Sequence, residues 1–305
     1  YRAGTPARDG TFARSRSEVA AYAAVRLPAT YAATYAALRQ VRERLPGWEP
    51  ATLADSGAGP GTAMWAAGAL WPELARVTLL EREAEMIAFG KRLAAEAPLA
   101  AVRDATWRQA DLLGTWDIAP HDLVITAYVL GELPETQHAA FIQRLWDGTA
   151  GTLVIIEPGT PAGFARVRQA RMHLIAAGAH TIAPCPHDRP CPMLDDNWCH
   201  FAQRVARSRL HRQVKGGDLG YEDEKFAFAA MSRLAAEPMR GRVIRHPQVQ
   251  KGHIDLEICT PDGLTRTVVT RKDRALFRQA RNLRWGSIMP ADAAGEPADD
   301  DEADG

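Results

Sequence analysis

The segment DSGAGPGT (residues 55–62) follows the apolar run ATLADS at 51–56 and precedes a helical pattern that begins near Thr62. Glycines let a backbone turn sharply and approach a ligand closely, and the free N–H groups of such a turn face the binding crevice. A strand, a glycine-rich turn and a helix in this order are typical of the first unit of a doubly wound sheet. The candidate cofactor-binding residues of this segment are Asp55, Gly57, Gly59 and Gly61.

Short apolar runs alternate with helical stretches after this segment. The candidate strands are RVTLLE at 76–81, WRQAD at 107–111, DLVITAYV at 122–129 and GTLVIIE at 151–157. Helical patterns fall between several of them, as at 83–95 and 135–146. Alternating strands and helices predict a parallel sheet covered by helices. The expected fold class is therefore α/β, with a doubly wound Rossmann-like sheet.

Two acidic residues end the next candidate strands, where a nucleoside cofactor would be held. Glu81 lies twenty residues after Gly61, at a place where a carboxylate can accept hydrogen bonds from both ribose hydroxyls. Asp111 ends the third strand, where an acid can meet an adenine edge. The order resembles the class I S-adenosylmethionine-dependent methyltransferases, whose pattern is D-x-G-x-G-x-G. The nicotinamide pattern G-x-G-x-x-G fits less well because the third glycine comes one residue early; a glycine-rich turn that binds nothing is the remaining alternative.

The sequence assigns no catalytic residue. Enzymes that methylate exocyclic amines carry an N/D-P-P-Y/F/W motif after the fourth strand, and the corresponding segment here is TAYVLGELP at 126–134, which lacks it. Enzymes that methylate cytosine C5 use a cysteine nucleophile, and no cysteine lies near this strand end. Tyr128 and Glu132 are the reactive side chains of the segment, and a structural role is expected for both.

All four cysteines lie in the second half of the chain, in the spacing C-x5-C-x7-C followed by a gap of 59 residues and a fourth cysteine. Structural zinc sites favour paired C-x2–4-C knuckles, whereas uneven spacing with Cys-Pro pairs suits an iron–sulfur cluster better. Disulfides are not expected beside a fold of intracellular type. A cluster, zinc and unligated thiols stay open. The candidate metal ligands are Cys185, Cys191, Cys199 and Cys259, with His187 and His200 as alternatives expected to hydrogen-bond or face solvent instead.

After residue 157 the strand–helix rhythm breaks, and the chain divides into five expected segments. These are an N-terminal helical segment at 1–50 in which Pro28 separates two helices, the cofactor-binding core at 51–158, a Cys/Arg-rich insertion at 159–224, closing strands with a basic region at 225–290, and a tail at 291–305. Within them the patterns predict helices at 160–178 and 198–215, an irregular stretch at 184–197, a strand at 225–233, a hairpin turning at 261–263, and a basic helix ending near Trp285.

The charges are divided unevenly along the 305 residues. The chain holds 37 Lys+Arg and 37 Asp+Glu, but residues 291–305 contain seven acids and no base, so the remainder carries 37 bases against 30 acids, or +7. Such a run is typical of a disordered, solvated tail, and screening of a basic surface is the alternative. No apolar run of about 18 residues occurs, so no membrane span and no membrane partner are expected.

A polyanion partner is expected from two basic regions. Residues 198–216 contain five cations and no acid, and on a helix Arg204, Arg207 and His211 would share one face. Residues 240–286 contain eleven Lys+Arg against four acids. Arg and Lys on such a surface bind phosphate largely without reading sequence, and a solvated Arg-rich face is the alternative. The candidate RNA-binding residues are Arg204, Arg207, Arg209, Arg212 and Lys215.

With both sites considered, the chain resembles the methyltransferase-like 17 family of small-ribosomal-subunit assembly proteins, which has mitochondrial and bacterial members. The resemblance rests on AYAAVRLPATYAA (21–33), DSGAGPGT, the segment from CPHDRPCP to WCHFAQRV, then YEDEKFAF and KGHIDLEIC. It implies a four-iron four-sulfur cluster on Cys185, Cys191, Cys199 and Cys259, S-adenosylmethionine at the glycine loop, and contact with small-subunit rRNA. The tail after 290 lies outside the resemblance.

The expected function is that of a monomeric iron–sulfur, S-adenosylmethionine-binding protein that docks on immature small ribosomal subunits. An active rRNA methyltransferase is one alternative, and a zinc-stabilised methyltransferase acting on a non-RNA substrate is another. The Ala- and Arg-rich composition without a visible transit sequence favours a bacterial cytoplasm over a mitochondrial matrix.

Overall fold

A computed structural model describes residues 15–193, 197–207, 212 and 219–289. The chain divides into two compact units. The first, called the sheet unit, comprises residues 1–184 and 193–237, and the second, called the C-terminal unit, comprises residues 185–192 and 238–305. Among the described helices, none has the length and hydropathy needed to cross a lipid bilayer.

The sheet unit is built on eight strands. They are β1 (Thr52–Ser56), β2 (Arg76–Glu81), β3 (Thr106–Gln109), β4 (His121–Ala127), β5 (Thr149–Pro158), β6 (His180–Ala183), β7 (Phe201–Ala206) and β8 (Tyr221–Ser232). The strand order is β3-β2-β1-β4-β5-β8-β6, with β7 also paired to β8. Strands β1 to β5 are parallel, whereas β8 is antiparallel to β5, β6 and β7. The order reverses between β1 and β4, which makes the carboxyl ends of these strands the expected binding crevice.

In the part of the sheet unit that the structure describes, seven named α-helices surround this sheet. They are α1 (Arg16–Val25), α2 (Leu27–Arg44), α3 (Thr62–Leu70), α4 (Ala84–Ala94), α5 (Ala100–Arg103), α6 (Glu135–Asp147) and α7 (Pro161–Ala176). Because crossovers between parallel strands are right-handed, α3 and α4 lie on one face and α6 on the other. Helix α2 packs against α3, and α7 packs against α6. The sheet is thus covered on both faces, and the expected doubly wound Rossmann-like α/β fold is confirmed.

The two N-terminal helices meet at Arg26, which ends α1 and precedes α2. Ser15 and Glu18 form a reciprocal capping box at the start of α1. Pro28 lies in the first turn of α2, where its missing N–H costs no helical hydrogen bond. The predicted pair of helices is confirmed, with the break two residues before the proline.

The C-terminal unit contains a four-stranded antiparallel sheet and one described helix. Its elements are β9 (Arg242–Val243), β10 (Gln248–Val249), β11 (His253–Thr260), β12 (Gly263–Thr270) and α8 (Arg274–Ala280). The order is β10-β11-β12, and β9 pairs with β11. Alternate residues Ile254, Leu256 and Ile258 are buried and pack with Leu276 and Ala280 of α8. The predicted hairpin is confirmed, and the predicted basic helix is present but ends at Ala280, five residues before the predicted end near Trp285.

The helix predicted over residues 198–215 is wrong in its first part. Residues 201–206 form the strand β7, which runs antiparallel to β8 from Phe201 opposite Phe226 to Ala206 opposite Tyr221. Phe201, Gln203 and Val205 are buried or half-buried while Ala202, Arg204 and Ala206 are exposed, which is the period of a strand. Pairing with a long neighbouring strand and burial of Phe201 against Phe226 and Phe228 outweigh the helix-favouring composition. Arg209, His211, Lys215 and the tail at 291–305 lie outside the described residues.

Candidate functional site

The glycine loop joins β1 to α3 at the point where the strand order reverses. Gly57, Gly59 and Gly61 adopt φ angles of 75°, 54° and 82°, the left-handed region that favours glycine. A Cβ on Gly57 would lie 2.3 Å from Cγ2 of Val129, and one on Gly61 would lie 2.8 Å from Cε of Met64. A Cβ on Gly59 would meet nothing closer than 4.0 Å, at the Tyr22 hydroxyl. Neighbouring side chains therefore pack tightly against Gly57 and Gly61, whereas the space next to Gly59 is open.

Glu81, at the end of β2, holds this loop in place. Its carboxylate accepts a hydrogen bond from the Gly59 amide at 2.7 Å and from the Glu83 amide at 2.8 Å. The side chain is nearly buried, and this burial raises its pKa above the ordinary range of Glu. A carboxylate has about four lone-pair positions, so two amide donors leave acceptor capacity for hydroxyl groups. Glu81 can orient the loop and bind a ribose at the same time.

Asp55 lies beneath the loop in β1 and is 2% exposed. Burial, and then the nearby charge of Glu81, raise its pKa to about 8. A group with such a pKa holds a proton at neutral pH, so Asp55 enters the site as a neutral acid. Its place is structural support under the glycine turn.

Asp111 lies farther out than the other predicted cofactor residues. It follows β3 by two residues, is exposed, and its side chain accepts a hydrogen bond from the Leu113 amide at 3.0 Å. The preceding residue, Ala110, donates its amide to the carbonyl of Glu81 at 2.9 Å. The ends of β2 and β3 are thereby tied together, and Asp111 stands at the edge of the same crevice.

Next to the crevice, the end of β4 carries a hydrogen-bonded group of three side chains. Tyr128 has a φ of 63°, and its hydroxyl donates to Oε1 of Glu224 at 3.2 Å. Arg26 donates to both carboxylate oxygens of Glu224, at 3.3 and 3.1 Å, and its guanidinium lies 5.6 Å from the Tyr128 ring centroid. Burial and the charge of Glu224 raise the pKa of Tyr128 well above its ordinary value. The phenol is a poor proton acceptor or donor for catalysis in this setting.

Glu157 and Glu132 occupy different environments at the same edge. Glu157, at the end of β5, is 1% exposed, accepts from the Leu130 amide at 2.9 Å and pairs with Arg166 at 3.4 Å. Burial raises the pKa of Glu157 to about 7. Glu132 lies on the 3-10 turn at Leu130–Glu132 and is exposed. Glu157 therefore fixes the turn that follows β4.

The four cysteines are half-buried and are not joined by disulfide bonds. Cys185, Cys191 and Cys259 belong to the C-terminal unit and Cys199 belongs to the sheet unit. Four thiols have the donor chemistry of a soft-metal site. Across the described ranges, however, no three or more His, Cys, Asp or Glu residues are gathered closely enough to hold a metal ion. The ring of His200 contacts the Trp198 carbonyl at 3.3 Å and stacks on the Trp198 ring.

Within the C-terminal unit, Arg189 ties the loop at 185–192 to the β11–β12 turn. Its guanidinium donates to the carbonyl of Pro261 and to Oδ1 of Asp262. Cys185 and Cys191 flank Arg189 in the chain, and Cys259 precedes the turn by two residues. One side chain thus fastens the segment that carries two cysteines to the turn beside a third.

The basic stripe expected in the first basic region does not form at Arg204 and Arg207. Residues 201–206 are a strand, so Arg204 lies on β7 and Arg207 directly follows it, and the two do not share one helical face. Arg204 forms an ion pair with Asp223 at 2.9 Å and stacks over Tyr221, and Arg207 pairs with Glu222 at 3.0 Å. Arg212 is exposed. Acids of β8 thus balance Arg204 and Arg207.

Sequence reasoning missed Arg26, Glu224 and Glu157. Glu157 has the same signal as Glu81, an acid at the end of an apolar strand, and could have been found by that rule. Arg26 and Glu224 are separated by 198 positions and nothing local joins them. Only the packing of the first helices against β8 brings this pair together.

A family model described as "Mitochondrial small ribosomal subunit Rsm22" matches residues 16–290. The human ribosome assembly protein METTL17, mitochondrial, is 31% identical over 289 residues, covering 88% of this chain and 62% of that protein. The Rsm22-cox11 tandem protein 2, mitochondrial, of Schizosaccharomyces pombe is 23% identical, covering 90% of this chain and 43% of that protein. The chain thus spans about half the length of these relatives.

Among solved structures, the magnesium protoporphyrin IX methyltransferase of Synechocystis PCC 6803 with bound S-adenosylmethionine is 15% identical. The structural alignment covers 70% of this chain and 84% of that enzyme, with a TM-score of 0.45. The putative RNA methyltransferase PH1948 of Pyrococcus horikoshii is 14% identical, with 65% and 82% coverage and a TM-score of 0.42. The family match extends through both units, from α1 to the end of the described residues, and the chain belongs to the Rsm22 family.

Proposed function

We propose that this protein binds S-adenosylmethionine and small-subunit rRNA and assists assembly of the small ribosomal subunit. The observation that carries the proposal is the family match over residues 16–290, together with the glycine loop and Glu81 at the switch point of the sheet. The human relative is described as a ribosome assembly protein, which supports the same role here.

The geometry of the glycine loop supports the cofactor part of the proposal. Space lies above Gly59, and Glu81 keeps lone pairs for ribose hydroxyls while its two amide bonds hold the loop. Asp111 stands at the edge, where an adenine would be placed. When bound, S-adenosylmethionine carries a sulfonium methyl group that can be transferred to a nucleophile. Asp55, Gly57 and Gly61 would shape the turn beneath it.

The hydrogen bonds of Tyr128 at the end of β4 favour an assembly factor over an active enzyme. Methyl transfer requires an acceptor to be positioned in line with the sulfonium and a group to take its proton. Tyr128 and Glu224 are committed to each other and to Arg26 at this place. Of the two reactive side chains in the position of a catalytic motif, Tyr128 therefore binds Glu224 instead of presenting a free base, while Glu132 is exposed.

Calorimetric titration with S-adenosylmethionine and incubation of small-subunit rRNA with labelled cofactor test these statements together. We expect binding in the wild type, loss of binding in Glu81→Ala, unchanged binding in Glu83→Ala, and no labelled methyl in RNA. Incorporation that disappears in Glu81→Ala would establish the alternative, an active rRNA methyltransferase. Absence of cofactor binding, or absence of the protein from small-subunit gradient fractions, would overturn the proposal.

We further propose a four-iron four-sulfur cluster on Cys185, Cys191, Cys199 and Cys259. The uneven spacing, the absence of disulfide bonds among these four cysteines and the resemblance to assembly proteins with such a site support it. Arg189 supports it as well, because it holds the Cys185–Cys191 loop on the turn next to Cys259. Zinc on the same thiols is the alternative, as in a methyltransferase with a non-RNA substrate.

An anaerobic absorption spectrum with iron and sulfide analysis distinguishes the two metals. We expect a broad absorption band at about 400 nm, and about four irons and four sulfides per chain from the analysis. A colourless protein with one zinc, or with no metal after strictly anaerobic preparation, would overturn the cluster.

The compartment and the segment boundaries complete the proposal. The names of the human and yeast relatives describe mitochondrial proteins, and this supports a location of the present protein in the mitochondrial matrix. The names give no support to the bacterial cytoplasm that the composition favours. We retain the five segments 1–50, 51–158, 159–224, 225–290 and 291–305 and the monomeric state as proposals. Limited proteolysis and light scattering test them.

A further inference from the structure

The segment around α8 carries a concentration of exposed cations. Between 271 and 284 the chain holds six Lys+Arg and one acid, Asp273, for a local charge of +5. All six cations are exposed. The carboxylate of Asp273 caps α8 by accepting from the Leu276 amide at 2.9 Å. The cations are Arg271, Lys272, Arg274, Arg278, Arg281 and Arg284.

Three of these arginines form a stripe along one side of the helix. Arg274, Arg278 and Arg281 stand at positions i, i+4 and i+7, which share a face at 3.6 residues per turn. Leu276 and Ala280 on the opposite face are buried, at 8% and 1% exposure, in the core below β11 and β12. The α8 stripe, defined as Arg274, Arg278 and Arg281, is therefore held on a rigid support and directed to solvent.

The α8 stripe is not balanced by acids within the part of the chain that the structure describes. None of its three guanidinium groups forms an ion pair with a described residue. Arg204 and Arg207 differ, since each is paired with an acid of β8. A cation without a protein counter-ion keeps its full charge for an external anion, and the Arg fork matches phosphate geometry. Among the described residues, α8 thus presents three neighbouring arginines whose charge is available to an external anion.

We infer that the α8 stripe is the surface that holds the phosphate backbone of small-subunit rRNA. This inference rests on the proposed function, because the rRNA supplies the polyanion. An interfacial membrane helix needs an apolar face free to enter lipid, and the apolar face of α8 is already buried in the core. Contacts of this kind position RNA without reading its sequence.

The test compares two triple variants of the full chain with the wild type. The first, Arg274→Gln with Arg278→Gln and Arg281→Gln, removes the stripe while keeping good helix formers. The control, Arg39→Gln with Arg42→Gln and Arg76→Gln, removes three exposed arginines of the sheet unit and changes the net charge equally. Binding to in vitro transcribed small-subunit rRNA is measured by filter retention from about 50 to 200 mM salt, the range over which phosphate contacts dominate affinity.

The stripe variant should lose affinity by about tenfold or more, and its slope of log K against log salt should fall by roughly 2 to 3 for three lost phosphate contacts. The control should keep both values, and thermal melting should be unchanged in both variants. Equal losses in the two variants, or a stripe variant that binds like the wild type, would overturn the inference while leaving the proposed function intact. Stronger binding to vesicles of anionic lipid than to RNA would also overturn it. Failure of the wild type to bind RNA would instead overturn the proposed rRNA partner.

Discussion

Single residues set how tightly the glycine loop can close. Gly57 combines a left-handed φ of 75° with a neighbour, Cγ2 of Val129, 2.3 Å from where a Cβ would lie. Gly57→Ala should therefore lower the free energy of unfolding by roughly 2–4 kcal/mol, the sum of left-handed strain and overpacking. Urea unfolding followed by circular dichroism measures this change.

Gly47 provides the matched control, because its φ is 79° and no atom lies within 4 Å of its Cβ position. Gly47→Ala should cost only about 1–2 kcal/mol of left-handed strain. Adding Val129→Ala to Gly57→Ala should recover part of the loss in a double-mutant cycle. Equal costs at the two glycines would show that the contact with Val129 does not limit the loop.

The buried carboxyl of Asp55 predicts a pH dependence of stability. Its pKa rises from the ordinary value of 3.8 to about 8 in the folded chain, mainly through burial. A raised folded pKa gives a stabilising contribution that is complete below the unfolded pKa and is lost as pH rises through the folded pKa. Stability should therefore fall between about pH 4 and 8, by at most about 1.4 kcal/mol per pH unit from this group.

Asp55→Asn isolates this contribution, since the amide does not titrate. The variant should lose less stability than the wild type between pH 5 and 8 when both are unfolded in urea at each pH. Glu157, whose pKa is about 7, acts in the same direction in both proteins and cancels in the comparison. Parallel pH profiles for the two proteins would contradict a buried, protonated Asp55.

At the scale of elements, one ion pair fastens the junction of α1 and α2 to β8. Arg26 is 25% exposed and Glu224 9% exposed in their side chains, so the pair is partly desolvated. Glu224→Gln should lower the free energy of unfolding by roughly 1–3 kcal/mol, because it leaves the Arg26 charge without its partner. Chemical denaturation gives the value, and hydrogen exchange should show faster opening of α1 and α2.

The double variant Arg26→Met with Glu224→Gln completes the test. It should be more stable than the sum of the single changes predicts, because neither charge is then left alone in the protein. Arg39→Met is the control, since Arg39 and Glu43 form an exposed i,i+4 pair that contributes little. Strict additivity would mean that the two side chains do not stabilise each other.

Pairing between elements also explains why the helix predicted over residues 198–215 is wrong in its first part. Residues 198–215 contain four Arg, two Ala and two Gln, which favour a helix. The first half of β8, residues 221–226, nevertheless offers an edge that β6 does not occupy, and Phe201 finds a buried place against Phe226 and Phe228 when it pairs there. A tertiary partner outside the local window decided the element, which no local pattern could reveal.

On the scale of the whole molecule, the distribution of charge should govern RNA binding. Residues 291–305 contribute seven acids, so a chain ending at residue 290 changes from a net charge of 0 to +7. Its affinity for small-subunit rRNA should rise roughly threefold to tenfold at about 50 mM salt, because long-range repulsion of the polyanion is removed. The gain should vanish near 1 M salt, where the Debye length is about 3 Å.

Fluorescence anisotropy with labelled rRNA at a series of salt concentrations measures this effect. A chain carrying the fifteen tail residues in scrambled order is the control and should bind like the wild type, since its charge is the same. Unchanged low-salt affinity after truncation would mean that the tail does not influence the basic surface.

The sequence by itself determined the doubly wound sheet, the glycine loop and the C-terminal hairpin. These features depend on neighbouring residues in the sequence. A strand, a glycine turn and a helix follow one another directly, and the hairpin residues alternate with period two. Glu81 was predictable for the same reason, because the end of a strand is visible in the sequence.

Only the tertiary structure decided that 201–206 is a strand, that Arg26 meets Glu224 and Tyr128, and that Arg204 and Arg207 are paired while α8 keeps unbalanced charge. It also assigned the loop at 185–192 to the C-terminal unit, beside Pro261 and Asp262. These contacts join residues from about 15 to almost 200 positions apart. Their energy comes from burial and charge pairing that exist only after the chain has folded.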